Sequence, residues 1–173
     1  MFELPVVDGT CGGTSAGMRP ELYEGLPLVT LAGDKGTDVE HLLRAAYERQ
    51  YYYRDDDATK LEIFVVLLRM RTKYDFKHIR RDLIKQAAKF YPMDQIGFEL
   101  ALCLGGKIFD LDRGECPFAL LKVMFETNVD VMLPILYYSC CPFYMDHILT
   151  ETQTLPSEGL RTLLIGKKSS ILA

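Results

Sequence analysis

The stretch Leu61-Glu62-Ile63-Phe64-Val65-Val66-Leu67-Leu68 is apolar almost all round, with Glu62 as its only charge. A helix of that pattern has no face to give to water, so it must lie centrally with other elements around it. Thr59-Lys60-Leu61-Glu62 has the spacing of a capping box, in which Thr and Glu satisfy each other's backbone donors at a helix start. Phe64, Val65 and Leu68 are therefore expected in the main core. At 173 residues the chain is long enough for one such core, or for one domain with an appended subdomain.

The neighbours of this helix can be read from periodicity. Thr37-Asp38-Val39-Glu40 is a second capping box, and Val39, Leu42, Leu43, Ala46 and Tyr47 follow on one helical face. Tyr51-Tyr52-Tyr53 predicts a brief extended segment before the acidic run Asp55-Asp56-Asp57. Asp75 is placed to cap a third helix, whose apolar positions Phe76, Ile79, Leu83, Ala87 and Phe90 recur until Pro92 stops it. Residues 26–31, between Gly25 and Gly33 and with Pro27 at the entrance, predict a short edge strand. Gly9 to Gly17 reads as a flexible linker. In the second half, glycines at 97, 105, 106 and 114 leave room for a short helix over 95–104 and a loop through Asp110 and Asp112. Apolar clusters over 117–127, 131–140, 143–149 and 157–165 predict a stack of short helices, followed by a frayed basic C-terminus. No fixed-period repeat is present. The expected class is α+β, predominantly helical.

Bulk chemistry excludes more than it selects. Against 24 Asp+Glu there are 20 Lys+Arg, a net charge of -4 that is too mild to make nucleic acid or an anionic membrane the default partner. The beginning Met1-Phe2-Glu3-Leu4-Pro5 lacks the pattern of a secretory signal, and prolines 134 and 142 break the longest apolar run, so an intracellular protein without a membrane span is expected. Five cysteines without C-x-x-C spacing, and three scattered histidines, predict neither a disulfide framework nor a metal site. The glycines from Gly9 to Gly17 lack the Lys-Ser/Thr of a phosphate loop. Gly166-Lys167-Lys168-Ser169 has Arg161 where that loop needs glycine. No cofactor is expected.

Catalysis is expected to be absent. The rival is a small cysteine-dependent enzyme pairing Cys140 or Cys141 with His147, but the apolar surroundings would raise a thiol's pKa and disfavour the thiolate. The sharpest charge asymmetry is basic: Arg69, Arg71, Lys73, Lys77, Arg80, Arg81, Lys85 and Lys89 face only Asp75 and Asp82. A solvated helix face, or a patch that steers an acidic protein partner, fits this better than nucleic-acid binding, because aromatic interleaving is sparse. Tyr47, Tyr51, Tyr52 and Tyr53 are candidate interface anchors, tyrosine offering apolar area with a polar tip.

The order of strand, capped helix, aromatic segment, buried helix and Asp-led helix resembles the second half of a BTB/POZ domain. The residues that carry the likeness are Leu28-Val29-Thr30-Leu31, Leu42-Leu43-Arg44-Ala45-Ala46-Tyr47, and Leu67-Leu68-Arg69-Met70-Arg71-Thr72-Lys73-Tyr74. It is most similar to fungal members, whose helical extension has a Leu-Pro helix ending in paired cysteines, here residues 133–141. The resemblance implies a start and linker over 1–21, a partial BTB/POZ-like domain over 22–91 and a helical extension over 92–173. It implies a protein-protein interaction module for self-association or adaptor binding, with an N-terminally truncated domain that oligomerises to cover exposed Val29, Leu43 and Ile63. Cullin-binding members carry a hydrophobic-x-acidic motif where this chain has Val39-Glu40-His41. His41 stands in the acid's place, so a cullin-type scaffold is the doubtful partner and a ubiquitin-ligase adaptor role the alternative.

Overall fold

The computed structural model describes residues 22–27, 33–52 and 59–172. The chain divides into two units, Met1–Gly33 and Asp34–Ala173. In the first, β1 (Leu22–Tyr23) pairs antiparallel with β2 (Leu26–Pro27). The turn between them has positive φ at both Glu24 and Gly25, the pattern of a type I′ two-residue hairpin. Only the beginning of the strand predicted for residues 26–31 can be compared, because residues 28–31 lie outside the described residues. So do the glycine-rich linker, Cys11, Val29, Tyr53 and the acidic run at residues 55–57.

The second unit is helical. Its elements are α1 (Gly36–Tyr47), α2 (Leu61–Lys73), α3 (Lys77–Phe90), α4 (Gln95–Leu104), the hairpin β3 (Lys107–Ile108) and β4 (Leu111–Asp112), then α5 (Pro117–Glu126), α6 (Leu133–Cys140), α7 (Met145–Glu151) and α8 (Ser157–Leu172). The predominantly helical α+β class is thus present. As its composition demands, α2 is central: Phe64, Leu67 and Leu68 are fully buried, and the helix touches α1, α3 and α5. Val65 and Ile63 are half-buried, so the core covers α2 less completely than its apolar sequence implies. From α5 the packing passes to α6 and from α6 to α8.

Helix starts depart from the expected caps. The residues before α1 and α2 are Lys35 and Lys60, and neither side chain makes a capping bond. Thr37 instead lies inside α1. Asp75 does not cap α3 either. It sits at φ +54 just past the end of α2, where the Tyr74 and Phe76 amides reach back to the carbonyls of Met70 and Arg71. This is a Schellman-type ending, with an aspartate in the left-handed position. Asn128, at φ +52, ends α5 the same way, with Val129 N–H on the Met124 carbonyl at 2.9 Å. A side-chain cap does open α4, whose predicted bounds match: Asp94 Oδ1 accepts from the Gly97 amide at 2.6 Å.

Three further expectations are corrected. Tyr51 lies in a turn and Tyr52 in irregular chain, so these residues are not a strand. Arg44 above and Gln86 below hold their side chains instead. The C-terminal basic segment is not frayed, since α8 runs on to Leu172 and Lys167 Nζ donates to the carbonyls of Cys141 and Phe143 at 2.9 and 2.6 Å. Those carbonyls belong to the turn after α6, where no backbone amide among the described residues reaches them, and an ammonium has three donors to offer. The segment expected as a loop through Asp110 and Asp112 is the β3–β4 hairpin. Its turn, Phe109-Asp110, drives Phe109 into the core against Phe64 and Phe90, with ring centroids 4.8 and 5.0 Å away.

Candidate interaction surface

The expected tyrosine cluster separates into three roles. Tyr47 is 78% exposed at the end of α1. Tyr51 is half-buried; its hydroxyl is hydrogen-bonded to His41 Nδ1, and the Arg44 guanidinium lies 4.2 Å from its ring centroid. Burial pushes the Tyr51 hydroxyl upward, while the positive charge of Arg44 opposes that shift. Arg44 is itself held by Glu48 at 3.1 Å and Glu40 at 3.6 Å, one turn to either side. Tyr52, also half-buried, donates to Gln86 on α3. The Val39-Glu40-His41 segment therefore presents Glu40 outward, while Val39 packs on the core and His41 is engaged by Tyr51.

Nor is the basic stretch a single solvated face. Arg69 makes a two-pronged pair with Glu126, at 2.7 and 3.2 Å, that ties α2 to α5. Lys73 and the Tyr74 hydroxyl converge on Asp34 Oδ2 at 2.6 and 2.5 Å. The Lys73 hydrogen bond, followed by that of Tyr74, holds the Asp34 carboxyl below its ordinary range. Arg80 donates to the Asn128 carbonyl at 3.0 Å, and Arg81 stands 4.0 Å from Asp82. Arg71 is the clearest correction. Its side chain is 3% exposed, with Nε on the Leu68 carbonyl, so it cannot steer a partner from the surface.

The surface that sequence reasoning missed is on α4. Ile96 is 80% exposed and Leu100 57% exposed, with Cys103 exposed three residues on. This spacing puts all three on one helical face, and Met93 extends it before the helix starts. Phe98 points the other way and is buried against Tyr138, ring centroids 5.5 Å apart. Ile96, Leu100 and Cys103 stand out because α4 is apolar on both sides yet packs inward through only one. The signal in the sequence was present: Gln95-Ile96-Gly97-Phe98-Glu99-Leu100-Ala101-Leu102-Cys103-Leu104 has one charge.

The cysteine and histidine candidates differ in burial, Cys140 and Cys141 lying inside and His147 at the surface. Cys140 is fully buried, which pushes its thiol far above the usual range, and the charge of Cys141 adds to that. His147 is exposed with its ring against Phe143 and Phe118 at 5.2 and 5.3 Å, and no hydrogen bond joins it to either sulfur. Burial also raises the Cys116 thiol to about 11. Among the described residues, no three His, Cys, Asp or Glu side chains converge as metal ligands, and no helix is long and apolar enough to cross a membrane.

Compared with known proteins, the chain matches no family model, no curated protein and no solved structure.

Proposed function

We propose that this chain is a protein-protein interaction module that self-associates, with a BTB/POZ-like segment over 22–91 and a helical extension over 92–173. The observation that carries the reading is the exposed face of α4. A row of Ile96, Leu100 and Cys103 beside Met93 leaves apolar area in water unless another surface covers it. Tyr138, which packs on Phe98 of α4, is 60% exposed, and aromatic anchors are common at interface centres. The unpaired cysteines Cys103, Cys116, Cys140 and Cys141 suit a reducing, intracellular compartment. Support for the BTB/POZ-like reading is the sequence of α1, buried α2 and α3.

Light scattering over a concentration series tests self-association. The wild-type mass should rise with concentration, and the double variant Ile96→Asp, Leu100→Asp should stay monomeric with an unchanged melting transition. A wild-type chain that remains a monodisperse monomer at millimolar concentration overturns the proposal.

A further inference from the structure

At the junction of α2, α3 and α5 a cleft of about 630 Å3 is lined by five cations, Arg71, Lys77, Arg80, Arg81 and Lys85, against one acid, Asp75. Two of the five have acidic company, Lys77 with Asp75 at 3.6 Å and Arg81 with Asp82 at 4.0 Å. Arg71, Arg80 and Lys85 form no ion pair among the described residues. Arg71 is the informative one. A guanidinium that is 97% buried normally has a carboxylate or several carbonyls around it, because an unpaired interior charge is costly. Here Nε reaches the Leu68 carbonyl, and the buried Nη2 has no partner. Desolvation, with repulsion from Arg80, lowers the guanidinium to about 10, and the smaller opposing pull of Asp75 does not offset it.

The rest of the cleft suits an anion. The first turn of α3 carries no acidic residue and has no side-chain cap, and with Phe76 and Lys77 lining the cleft its dipole adds to the positive charge there. The Thr72 and Thr127 hydroxyls donate to carbonyls one turn back, leaving recognition to the guanidinium and ammonium groups. Phe76 and Ile84 give the cleft an apolar wall beyond the charged end. A carboxylate would neutralise one cation and leave two bare, whereas a phosphate monoester carries nearly two charges and three acceptor oxygens. Arginine forks match those oxygens two at a time.

We propose that this cleft is a binding site for a phosphate monoester attached to an apolar or peptide group, with Arg71 as its buried counter-charge and Arg80 and Lys85 completing the anion shell. The site does not depend on the α4 surface or on self-association.

Calorimetric titration and thermal melts of the whole chain test it with three probes: inorganic phosphate, a short phosphoserine peptide and the same peptide with serine. Phosphate should raise the melting midpoint above chloride at equal ionic strength. The phosphopeptide should bind at least tenfold more tightly than its serine twin. If inorganic phosphate binds as well as the phosphopeptide, the source is a free or small-molecule phosphate; if only the phosphopeptide binds, it is a modified side chain, and either supports the site. Arg71→Met should cut phosphate affinity about tenfold. Should that variant not fold, the exposed pair Arg81→Gln, Lys85→Gln should still weaken binding several-fold with an unchanged melt. Equal effects of phosphate and chloride together with a phosphopeptide that binds no better than its serine twin, variants that bind like wild type, or tighter binding of a thymidine oligonucleotide, whose diesters carry single charges, would each overturn the proposal.

Discussion

The Tyr52 hydroxyl donates to the side-chain oxygen of Gln86 at 2.8 Å, joining the chain after α1 to the buried side of α3. Gln86 is 1% exposed, so the bond lies where water competes poorly. Tyr52→Phe keeps the ring and removes the donor. Its expected cost is about 0.5–1.5 kcal/mol in a denaturant melt. A variant as stable as wild type would show that the bond contributes nothing to holding this segment.

The Asp34 carboxylate, shared by Lys73 and Tyr74, sets a pH window. Its folded pKa is lowered, so its contribution is complete above the unfolded-chain value of about 4 and is lost as pH falls through the lowered folded value. Lys73 and Tyr74 are shifted upward, chiefly by their hydrogen bonds to Asp34, so their share is present while Asp34 is ionised and is lost as pH rises through their folded values, above about 10. Asp34→Asn should therefore melt below wild type by a constant margin between those limits. Toward either extreme the two melting curves should converge, and a margin that varies across neutral pH would contradict the assignment.

The turn of the second hairpin makes a two-sided prediction. Phe109 and Asp110 both have positive φ, at +54 and +63, yet Phe109 is buried and Asp110 exposed. Asp110→Gly relieves a left-handed aspartate without losing a contact, and should stabilise by up to about 1 kcal/mol. Phe109→Ala keeps the unfavourable φ and empties the space between Phe64 and Phe90, costing about 3–5 kcal/mol. Chemical denaturation of the two variants should move in opposite directions.

Thiol labelling near neutral pH should rank the described cysteines by burial. Cys103, exposed on α4, should be alkylated first. Cys116 and Cys140, with thiols raised by burial, should react only as the chain opens, and denaturant should accelerate both by orders of magnitude. Rapid native labelling at Cys140 would revive a reactive-thiolate reading.

Periodicity located most helices, because each buried face repeats at a spacing that tertiary contacts reinforce; α3, buried through Ile79, Leu83, Ala87 and Phe90, and α5 are the clearest examples. Caps were less legible. Thr37, Thr59 and Asp75 each had the composition of a helix start, but where the chain turns depends on how α2 packs, and Asp75 is used to end a helix rather than begin one. The basic stretch was read as one surface because charge along a sequence carries no depth. Arg69 and Arg71 are two residues apart, yet one reaches Glu126 on the surface and the other lies inside. Asp34 had no local signal at all, since its partners are 39 and 40 residues away. The α4 face was legible in composition, but its exposure follows from packing in which Phe98 is the one buried side chain of α4 among the described residues.

Lys167 has a consequence for the order in which the protein comes apart. Its ammonium closes loops of 26 and 24 residues onto the carbonyls of Cys141 and Phe143, so the reversal between α6 and α7 is finished by a group from α8. Losing α8 strands two carbonyls that the turn cannot satisfy by itself. Amides around this reversal should then exchange with deuterium at the same opening free energy as those of α8, behaving as one cooperative unit although they belong to separate helices.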